Sequence, residues 1–367
     1  MKIPYHYIRN AWYVAGFSHE FVSEKPQGHK IAGRPFVIWR TREGQVAAFD
    51  NRCAHKRMPL SEGRILNDGT LECAYHGLRY DSSGRCVAIP AHPDGPIPPQ
   101  AKLKPFPAVE QDGLVWIWPG DATEANALRP PPSPELTDDA WESVGSDPLR
   151  VKANYLLLIE NLMDITHFYP LHDGNIGDIA NSRIPVELVE GDDGHGNHYV
   201  KTIRKVNNYR QPPFLVDWFG YDMVDREHTH CSVSPGVTRV EMRVAPPGKL
   251  GTDAERGYVL HHFHTPVDDR NHVWRWCMST LAGHKSGADP SKSVVKRATQ
   301  MFPEVVKQDL WVLEKQQEMY ELQDEGYVEL YLRTDKALRR VRQLFSTMQR
   351  KEVSQPEEPT QVTGTRS

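Results

Sequence analysis

Two short loops, each carrying one cysteine and one histidine, constrain the fold of this 367-residue chain more than any other feature. Cys53 and His55 follow residues 34–51, whose apolar segments on either side of a glycine-containing turn predict two paired β-strands. Cys73 and His76 form the second loop, which another hairpin follows. We therefore predict a small all-β unit whose cysteines and histidines lie at strand ends.

The four side chains suit two kinds of metal group. Zinc fingers usually pair cysteine with cysteine and then histidine with histidine, whereas here each loop supplies one of each. The alternation is typical of a two-iron, two-sulfide cluster in which Cys53 and Cys73 bind one iron, and His55 and His76 bind the other. We favour the cluster and keep structural zinc as the alternative. Cys86, in the following hairpin, is interpreted as a packing residue.

Two imidazoles in place of two thiolates raise the reduction potential of such a cluster to roughly −150 to +300 mV. The first domain would then carry single electrons. Lys56 and Arg57 follow His55 directly, so they would lie either on a rim where an electron donor docks or in a solvated loop.

Charge and cysteine usage exclude several classes of protein. A net charge of −4 gives no reason to expect a nucleic-acid partner. Five cysteines are few and odd in number, which argues against a disulfide scaffold. No apolar run approaches the roughly 18–20 residues of a membrane span, and the N-terminus lacks the apolar core of a signal peptide. We expect a cytoplasmic protein of two domains, with a boundary at the proline-rich residues 130–134.

A row of polar side chains interrupts an apolar helix near the middle of the chain. Asn161, Asp164 and His167 recur every third residue and would share one face of the helix, until Pro170 ends it and His172 follows in the turn. Buried polar groups are costly unless something satisfies them. Two histidines and a carboxylate in this arrangement predict a metal site.

The second domain should be mostly antiparallel β-sheet wrapped around helices. Its histidines are expected to line one solvated or pocket-facing side of the strands rather than a second metal site. Strands are predicted at residues 185–190, 199–206, 214–221, 231–244, 258–266 and 273–281. The candidate pocket walls are Trp218, Phe219, Tyr221, His230, His262, Trp274 and Trp276.

Two helices are predicted near the end of the chain. Residues 302–320 form the first, with Pro303 near its start, and Asp309 points into its apolar face. A buried aspartate needs a partner, and we favour a metal over a buried arginine. Residues 329–351 form a basic helix whose charged face we expect to be solvated.

His167, His172 and Asp309 would make a two-histidine, one-carboxylate set. This arrangement leaves positions open on ferrous iron for dioxygen or water. Iron that activates dioxygen needs electrons, and the β domain offers an electron carrier, so each site supports the other.

These motifs together resemble the Rieske non-haem iron oxygenases, over nearly the whole chain. The segments NLMDITHFYPLH and QDLWVLEKQQ are most similar to the oxygenase components of vanillate O-demethylase and dicamba monooxygenase. The resemblance implies an α+β fold, with an all-β Rieske [2Fe-2S] domain (residues 1–135) and a helix-grip, START-like catalytic domain with an antiparallel sheet (residues 136–350). Residues 351–367 are expected to form a disordered tail.

The same resemblance implies a head-to-tail homotrimer in which Asp164 bridges His76 of one subunit and His167 of the next. Asn161 would border the iron, or it would only cap a local hydrogen bond. The implied function is oxygenation of a small aromatic substrate with O₂ and with electrons from NAD(P)H, delivered by a ferredoxin or flavin reductase. We expect O- or N-demethylation.

Three alternatives to demethylation remain open from the sequence. The first is hydroxylation of a ring or a side chain without dealkylation, and the second is phthalate-type ring dioxygenation. The third belongs to a different class of protein, an electron-transfer or zinc-structured module without oxygenase activity.

Overall fold

The first third of the chain folds into three small antiparallel sheets. A computed structural model describes residues 6–22, 25–173, 175–177, 179–289, 291–322 and 327–354. The early strands are β1 (Tyr13–Phe17), β2 (Gln27–Ile31), β3 (Arg34–Arg40), β4 (Val46–Asp50), β5 (Arg64–Ile65), β6 (Leu71–Glu72), β7 (Arg79–Tyr80), β8 (Cys86–Ala88), β9 (Pro105–Phe106), β10 (Ala108–Gln111) and β11 (Leu114–Ile117). Their orders are β1-β11-β10, β2-β3-β4-β9 and β5-β6-β7-β8.

Apolar and aromatic residues in these strands form the N-terminal core. The four residues of β11 are all buried, as are Phe36 and Trp39 on β3. Strands β5 to β8 are only two or three residues long; the second Cys–His loop joins β6 to β7, and the first follows β4. The predicted all-β unit is therefore present.

A single large antiparallel sheet forms the second part. Its strands are β12 (Trp141–Gly145), β13 (Leu149–Val151), β14 (Glu187–Asp192), β15 (His198–Arg210), β16 (Met223–Ser234), β17 (Val237–Ala245), β18 (Arg256–Asp268) and β19 (Asn271–Leu281). Their order is β12-β19-β18-β17-β16-β15-β14, with β13 also paired to β19.

Two of the predicted strands are wrong. Residues 214–221 were predicted to form a strand, but they lie mostly in α4 (Pro213–Phe219). Proline at the first helical position and Gly220 in the left-handed conformation after the last one define this helix. The strand predicted at residues 231–244 is two strands, because Gly236 lies in a turn between β16 and β17.

The helices differ from prediction mainly at their ends. The other helices are α1 (Tyr155–Met163), α2 (Phe168–Leu171), α3 (Ile179–Arg183), α5 (Val294–Glu321) and α6 (Lys336–Ser354). The helix predicted at residues 302–320 begins eight residues earlier, at Val294, with Ser293 as its N-cap, and Pro303 lies inside it. Pro303 was therefore misinterpreted as a start signal. A proline inside a helix removes one backbone hydrogen bond, and here the packing of the neighbouring turns keeps the helix continuous.

The last helix differs from its predicted span and surroundings. It starts at Lys336 and continues to Ser354, and residues 355–367 of the expected tail lie outside the described residues. The expectation of a solvated basic face is wrong for Arg342. That side chain is mostly buried and donates to Glu160 at 2.7 Å and to Glu329 at 3.0 Å.

Helix α1 packs against both parts of the molecule. Ile159 shares a core with Tyr13 of β1 and Phe345 of α6. Leu157 and Leu158 pack into the core of the large sheet. We propose residue 135 as the domain boundary, since the large sheet begins with β12. None of the helices in the described part has the length and apolarity needed to cross a bilayer.

Candidate metal centres

The two Cys–His loops share one backbone pattern. In the first loop, Cys53 donates its N–H to the carbonyl five residues later, and its own carbonyl accepts from Arg57 N–H, both at 2.9 Å. Cys73 makes the same first bond at 2.9 Å, and Gly77 donates to its carbonyl at 3.0 Å. Arg57 and Gly77 both adopt positive φ, 58° and 70°. The loops are therefore two copies of one tight turn.

The cysteines and histidines of these loops face different environments. Cys53 and Cys73 are each 2% exposed, whereas His55 and His76 are exposed, with ring centroids 4.5 Å apart. Tyr80 places its hydroxyl 3.2 Å from the Cys53 sulfur. Buried sulfur ligands and surface imidazoles suit a group with a thiolate end and a histidine end.

The other cysteine of this region is not part of the loops. Cys86 packs in the same core, where its Sγ lies 3.4 Å from the Ala88 carbonyl. This agrees with its interpretation as a packing residue. Lys56 and Arg57 are both exposed beside His55.

His167, His172 and Asp309 come together at a second site, where one ligand atom from each lies within 4.8 Å of the others. The Asp309 Oδ1 atom is 3.3 Å from His172 Nε2 and 3.7 Å from His167 Nε2. Asn161 donates its Nδ2–H to the same oxygen at 3.1 Å. His172 and Asp309 are buried, while His167 is half-buried.

Carbonyl groups orient both imidazoles. The His167 Nδ1 atom lies 2.6 Å from the Asp164 carbonyl, and the His172 Nδ1 atom lies 2.8 Å from Gln308 Oε1. Carbonyl oxygens only accept, so each Nδ1 carries the proton and each Nε2 keeps its lone pair. Within the described ranges, the buried His172 Nε2 has no hydrogen-bond partner. Two aimed lone pairs and a carboxylate fit a divalent metal ion.

The electrostatics of the two histidines differ. Burial lowers the pKa of His167, in spite of the nearby Asp309 charge. Burial also opposes the charged form of His172, but the adjacent Asp309 carboxylate, 3.3 Å from Nε2, outweighs burial and raises the pKa of His172. A bound metal would displace that proton, because it binds the neutral imidazole.

The backbone at Asp164 explains how His167 is aimed. Helix α1 ends at Met163, and Asp164 is extended, with φ −122° and ψ 107°. The predicted continuous helix up to Pro170 is therefore wrong. Asp164 caps the following turn, because its carboxylate accepts from Thr166 N–H and Oγ1–H, both at 2.9 Å.

The break also changes which surfaces the polar row reaches. Asn161 and His167 line an internal cavity, whereas Asp164 does not. Asp164 instead lies in a surface groove that also reaches Asn161 and His167. Arg204 approaches its carboxylate to 3.9 Å.

Comparison with known proteins assigns both parts of the chain. Residues 11–107 match the family described as Rieske [2Fe-2S] domain, and residues 151–351 match the vanillate O-demethylase oxygenase C-terminal domain. The vanillate O-demethylase oxygenase subunit of Pseudomonas sp. (strain HR199 / DSM 7063) is 32% identical over 84% of this chain and 86% of that protein.

The chain belongs to the Rieske oxygenase family.

Two further similarities place this Rieske oxygenase among relatives of known structure and name. The crystal structure of dicamba monooxygenase bound to dicamba matches with a TM-score of 0.82 and 31% identity, over 96% of this chain and 100% of that one. The dicamba O-demethylase oxygenase component of Stenotrophomonas maltophilia is 41% identical over 51% of this chain. That alignment spans 54% of the relative, about half its length. The α+β class and the Rieske [2Fe-2S] domain are confirmed, which decides against the zinc alternative.

The cavity beside His167, His172 and Asp309 is mainly apolar, and the space not filled by atoms is about 740 Å³, including its mouth. Helix α4, the large sheet and α5 contribute most of the wall. Its aromatic and aliphatic lining includes Leu162, Phe168, Ile176, Phe214, Leu215, Trp218, Val240, Met242, Tyr258, Leu260, Trp274, Met278, Phe302 and Val305.

The predicted pocket walls are partly right. Trp218, His230, His262 and Trp274 line the cavity, but the other three candidates do not. Phe219 and Tyr221 lie at and beyond the end of α4, because this segment is not a strand. Trp276 packs on Phe302, with ring centroids 4.7 Å apart.

The strand histidines were expected to line one solvated or pocket-facing side, and the pocket-facing alternative holds for three of them, whereas His198 on β15 is exposed. His228, His230 and His262 line the cavity. His261 lies elsewhere, with Nε2 3.2 Å from Glu135, and His264 lies 2.9 Å from the Thr238 hydroxyl. Neighbouring residues of a strand face opposite sides, which separates His261 from His262.

Two positioning contacts were missed from sequence. Gln308 was not singled out in the sequence, yet its Oε1 accepts a hydrogen bond from His172 Nδ1–H. Its position next to Asp309 was the one available signal. Trp274 donates its indole N–H to His262 Nδ1 at 3.1 Å, which leaves the proton of His262 on Nε2.

Proposed function

We propose that this Rieske oxygenase is the terminal oxygenase component of a multicomponent monooxygenase. Electrons from NAD(P)H would reach it through a separate ferredoxin or flavin reductase. With O₂, it would hydroxylate a small aromatic substrate, with O- or N-demethylation. The observation that carries the proposal is an apolar, aromatic-lined cavity in direct contact with His167, His172 and Asp309.

The site residues would hold two groups. Cys53 and Cys73 would bind one iron of the [2Fe-2S] cluster, and the two exposed histidines, His55 and His76, would bind the other. His167, His172 and Asp309 would bind a mononuclear ferrous ion. When bound, the cluster supplies single electrons and the ferrous ion supplies open positions at which O₂ is reduced.

The chain itself positions the reactants. Trp218, Phe214 and Tyr258 offer flat apolar surfaces that hold an aromatic ring and exclude water. Asn161 donates to Asp309 Oδ1 and so fixes the orientation of this carboxylate. We therefore assign Asn161 a positioning role beside the iron.

The proposed route of electrons between subunits uses surfaces on opposite parts of the chain. His76 is exposed next to Tyr75, which is 63% exposed. Asp164 lies in a groove flanked by Trp311, itself 61% exposed. In a head-to-tail homotrimer, Asp164 would accept a hydrogen bond from His76 of the partner subunit. Exposed aromatic side chains at both surfaces support an interface there.

Demethylation follows from hydroxylation of a methyl group. One oxygen atom of O₂ enters the C–H bond, and the other leaves as water after two electrons and two protons are supplied. A hydroxymethyl ether or amine then collapses to a phenol or amine and formaldehyde. The relatives named as vanillate and dicamba O-demethylases support this outcome.

Formaldehyde release tests the proposal. Purified holoprotein with a compatible reductase, NADH and O₂ should release formaldehyde from methoxyarenes or N-methyl compounds. Hydroxylated products without aldehyde would replace demethylation by ring or side-chain hydroxylation. A protein that contains both iron centres yet consumes no O₂ with any member of the panel would contradict the oxygenase function itself.

A further inference from the structure

One histidine of the large sheet is hydrogen-bonded to the end of helix α1. His230 on β16 is 3% exposed, and its Nδ1 atom lies 2.5 Å from the carbonyl oxygen of Leu162. Helix α1 ends at Met163, so this carbonyl belongs to the last turn, where carbonyl groups have no partner within a helix. Such groups need an outside donor wherever water is excluded, and His230 supplies it here.

A second histidine holds the ring of His230 from its other side. The Leu162 carbonyl can only accept, so His230 carries a proton on Nδ1. Burial lowers the pKa of both His228 and His230 well below its usual value, in keeping with two neutral rings. The Nε2 atoms of these two residues are 3.1 Å apart, so His228 donates its Nε2–H to His230. The ring of His230 therefore cannot turn without breaking two hydrogen bonds.

The Leu162 carbonyl lies between two residues that position the predicted iron ligands. Asn161, one residue earlier, donates to Asp309 Oδ1 at 3.1 Å. Asp164, two residues later, provides the carbonyl that lies 2.6 Å from His167 Nδ1. A shift of this short segment would move both contacts at once. The hydrogen bond between the segment and β16 opposes that shift.

We propose that His230 is a positioning residue for the mononuclear iron site, acting through the Leu162 carbonyl on the segment that orients Asp309 and His167. This inference rests on the proposed function, because it requires ferrous iron at that site. Although His230 lines the cavity, both of its ring nitrogens are engaged by Leu162 and His228. Its hydrogen bonds therefore hold the protein and not a substrate.

Three substitutions of His230 separate the hydrogen bond from the volume of the side chain. Asparagine places an amide N–H where histidine has Nδ1, whereas glutamine places it near the position of Nε2, toward His228. Leucine has nearly the shape of asparagine but no donor. The bond to Leu162 should therefore persist in His230→Asn and be lost in His230→Gln and His230→Leu.

Iron affinity, measured by competition with a chelator, is the first readout. Loss of a group bonded directly to a metal ligand lowers affinity by about 10- to 100-fold, and His230 acts one contact further away. We therefore expect a fall of about fivefold in His230→Leu and His230→Gln, and less than about twofold in His230→Asn. Equal affinities in His230→Asn and His230→Leu would overturn the proposal. Should His230→Leu not fold, the comparison of His230→Asn with His230→Gln decides in the same way.

Amide hydrogen exchange of the metal-free protein is the second readout, and it does not depend on turnover. The amides of Asp164 and Thr166 make local hydrogen bonds in the segment, so their exchange reports its opening. Both should exchange faster in His230→Leu than in His230→Asn. Equal exchange in the two variants would show that the hydrogen bond to β16 does not hold the segment.

His264→Leu is the control for general destabilisation. His264 is also a buried histidine, but its ring hydrogen bond goes to Thr238 on the neighbouring strand β17 and not to α1. The substitution should lower the thermal stability and leave the iron affinity unchanged. The same fall in iron affinity as in His230→Leu would overturn the positioning role, because loss of stability alone would then explain it.

The outcomes distinguish this inference from the proposed function. Wild-type protein that binds no mononuclear iron would contradict both. Iron binding with equal affinity in His230→Asn and His230→Leu would contradict only the role of His230. The expected difference in affinity without formaldehyde release would support that role and contradict only demethylation.

Discussion

The Cys–His loops take their four predicted ligands from residues 53–76, on neighbouring turns at the protein surface. The His167–His172–Asp309 trio instead joins the α1–α2 segment to α5 in the interior. In the loops, one repeated turn places every ligand. In the trio, the backbone supplies one positioning carbonyl and the side chain of Gln308 supplies the other.

This difference indicates two ways of building a metal site. The loops are specified locally, so their residues recur at short fixed spacings and their geometry should depend little on the catalytic domain. The trio depends on the packing of α1 against α5. Its geometry should therefore respond to residues that touch neither the metal nor the substrate.

Removing a ligand should have the largest effect and should separate the two sites. Loss of a residue that only hydrogen-bonds to a metal ligand lowers metal affinity by about 10- to 100-fold. Asp309→Ala removes a ligand itself, so the affinity for mononuclear iron should fall by more than this, and product formation should stop. The cluster should remain, because the sites share no ligand. Cys73→Ser should do the reverse, with loss of the cluster spectrum.

Metal analysis, acid-labile sulfide and visible absorption measure both outcomes. Glu318→Ala removes an exposed carboxylate from the same helix as Asp309 and is the control. Loss of both iron centres in Asp309→Ala would show that the sites are not independent.

Removing a residue that hydrogen-bonds to a predicted metal ligand should have the next largest effect. Gln308→Leu takes away the acceptor at His172 Nδ1, so iron affinity should fall by about 10- to 100-fold while the cluster is unchanged. Competition with a chelator measures this affinity. Gln300→Leu, at an exposed position on the same helix, should have no effect. Equal iron affinity in the wild type and Gln308→Leu would show that α5 places His172 without this hydrogen bond.

Asp164→Asn should slow turnover by about tenfold or more and leave both metals bound. The His167 ring is held by the main-chain carbonyl of Asp164, which the substitution keeps, while the charge proposed to meet the partner subunit is lost. Asp121→Asn is a matched control, because Asp121 accepts from Thr123 in the same local arrangement. Loss of iron in Asp164→Asn would instead show that the carboxylate is structural.

The smallest expected effect concerns the repeated turn of the loops. Gly77→Ala should destabilise the Rieske domain by about 1–2 kcal/mol, because φ is 70° and a Cβ would lie 3.0 Å from Pro90 Cγ. Arg57→Gly, at the equivalent position, should be neutral or stabilising by up to about 1 kcal/mol. Thermal bleaching of the cluster measures both. Stabilisation by Gly77→Ala, or destabilisation by Arg57→Gly, would show that the two turns are not equivalent.

The sequence was most informative where structure is set by nearby residues. The Cys–His spacing predicted the Rieske domain, and the apolar face of α5 indicated a buried Asp309. Asn161, His167 and His172 also come together with Asp309. That His167, His172 and Asp309 hold a metal stays a prediction.

The contacts that depend on tertiary packing could not be predicted. Gln308 appears as one more polar residue on a helix until α5 is placed beside His172. The break at Asp164 depends on a carbonyl that turns toward an imidazole, and a side-chain pattern does not show it. Residues 214–221 have the aromatic composition of a strand, but Pro213 and Gly220 make them a helix.

The shared core around α1 limits how freely the first domain can be exchanged. Ile8 and Tyr13 pack against Ile159 of α1 and Phe345 of α6, so the N-terminal sheets are completed by residues from the far end of the chain. A chimera that exchanges residues 1–135 between relatives would leave the packing of the N-terminal sheets against α1 and α6 mismatched. Transfer of the first domain into a relative would therefore also require transfer of the residues of α1 and α6 that pack against it.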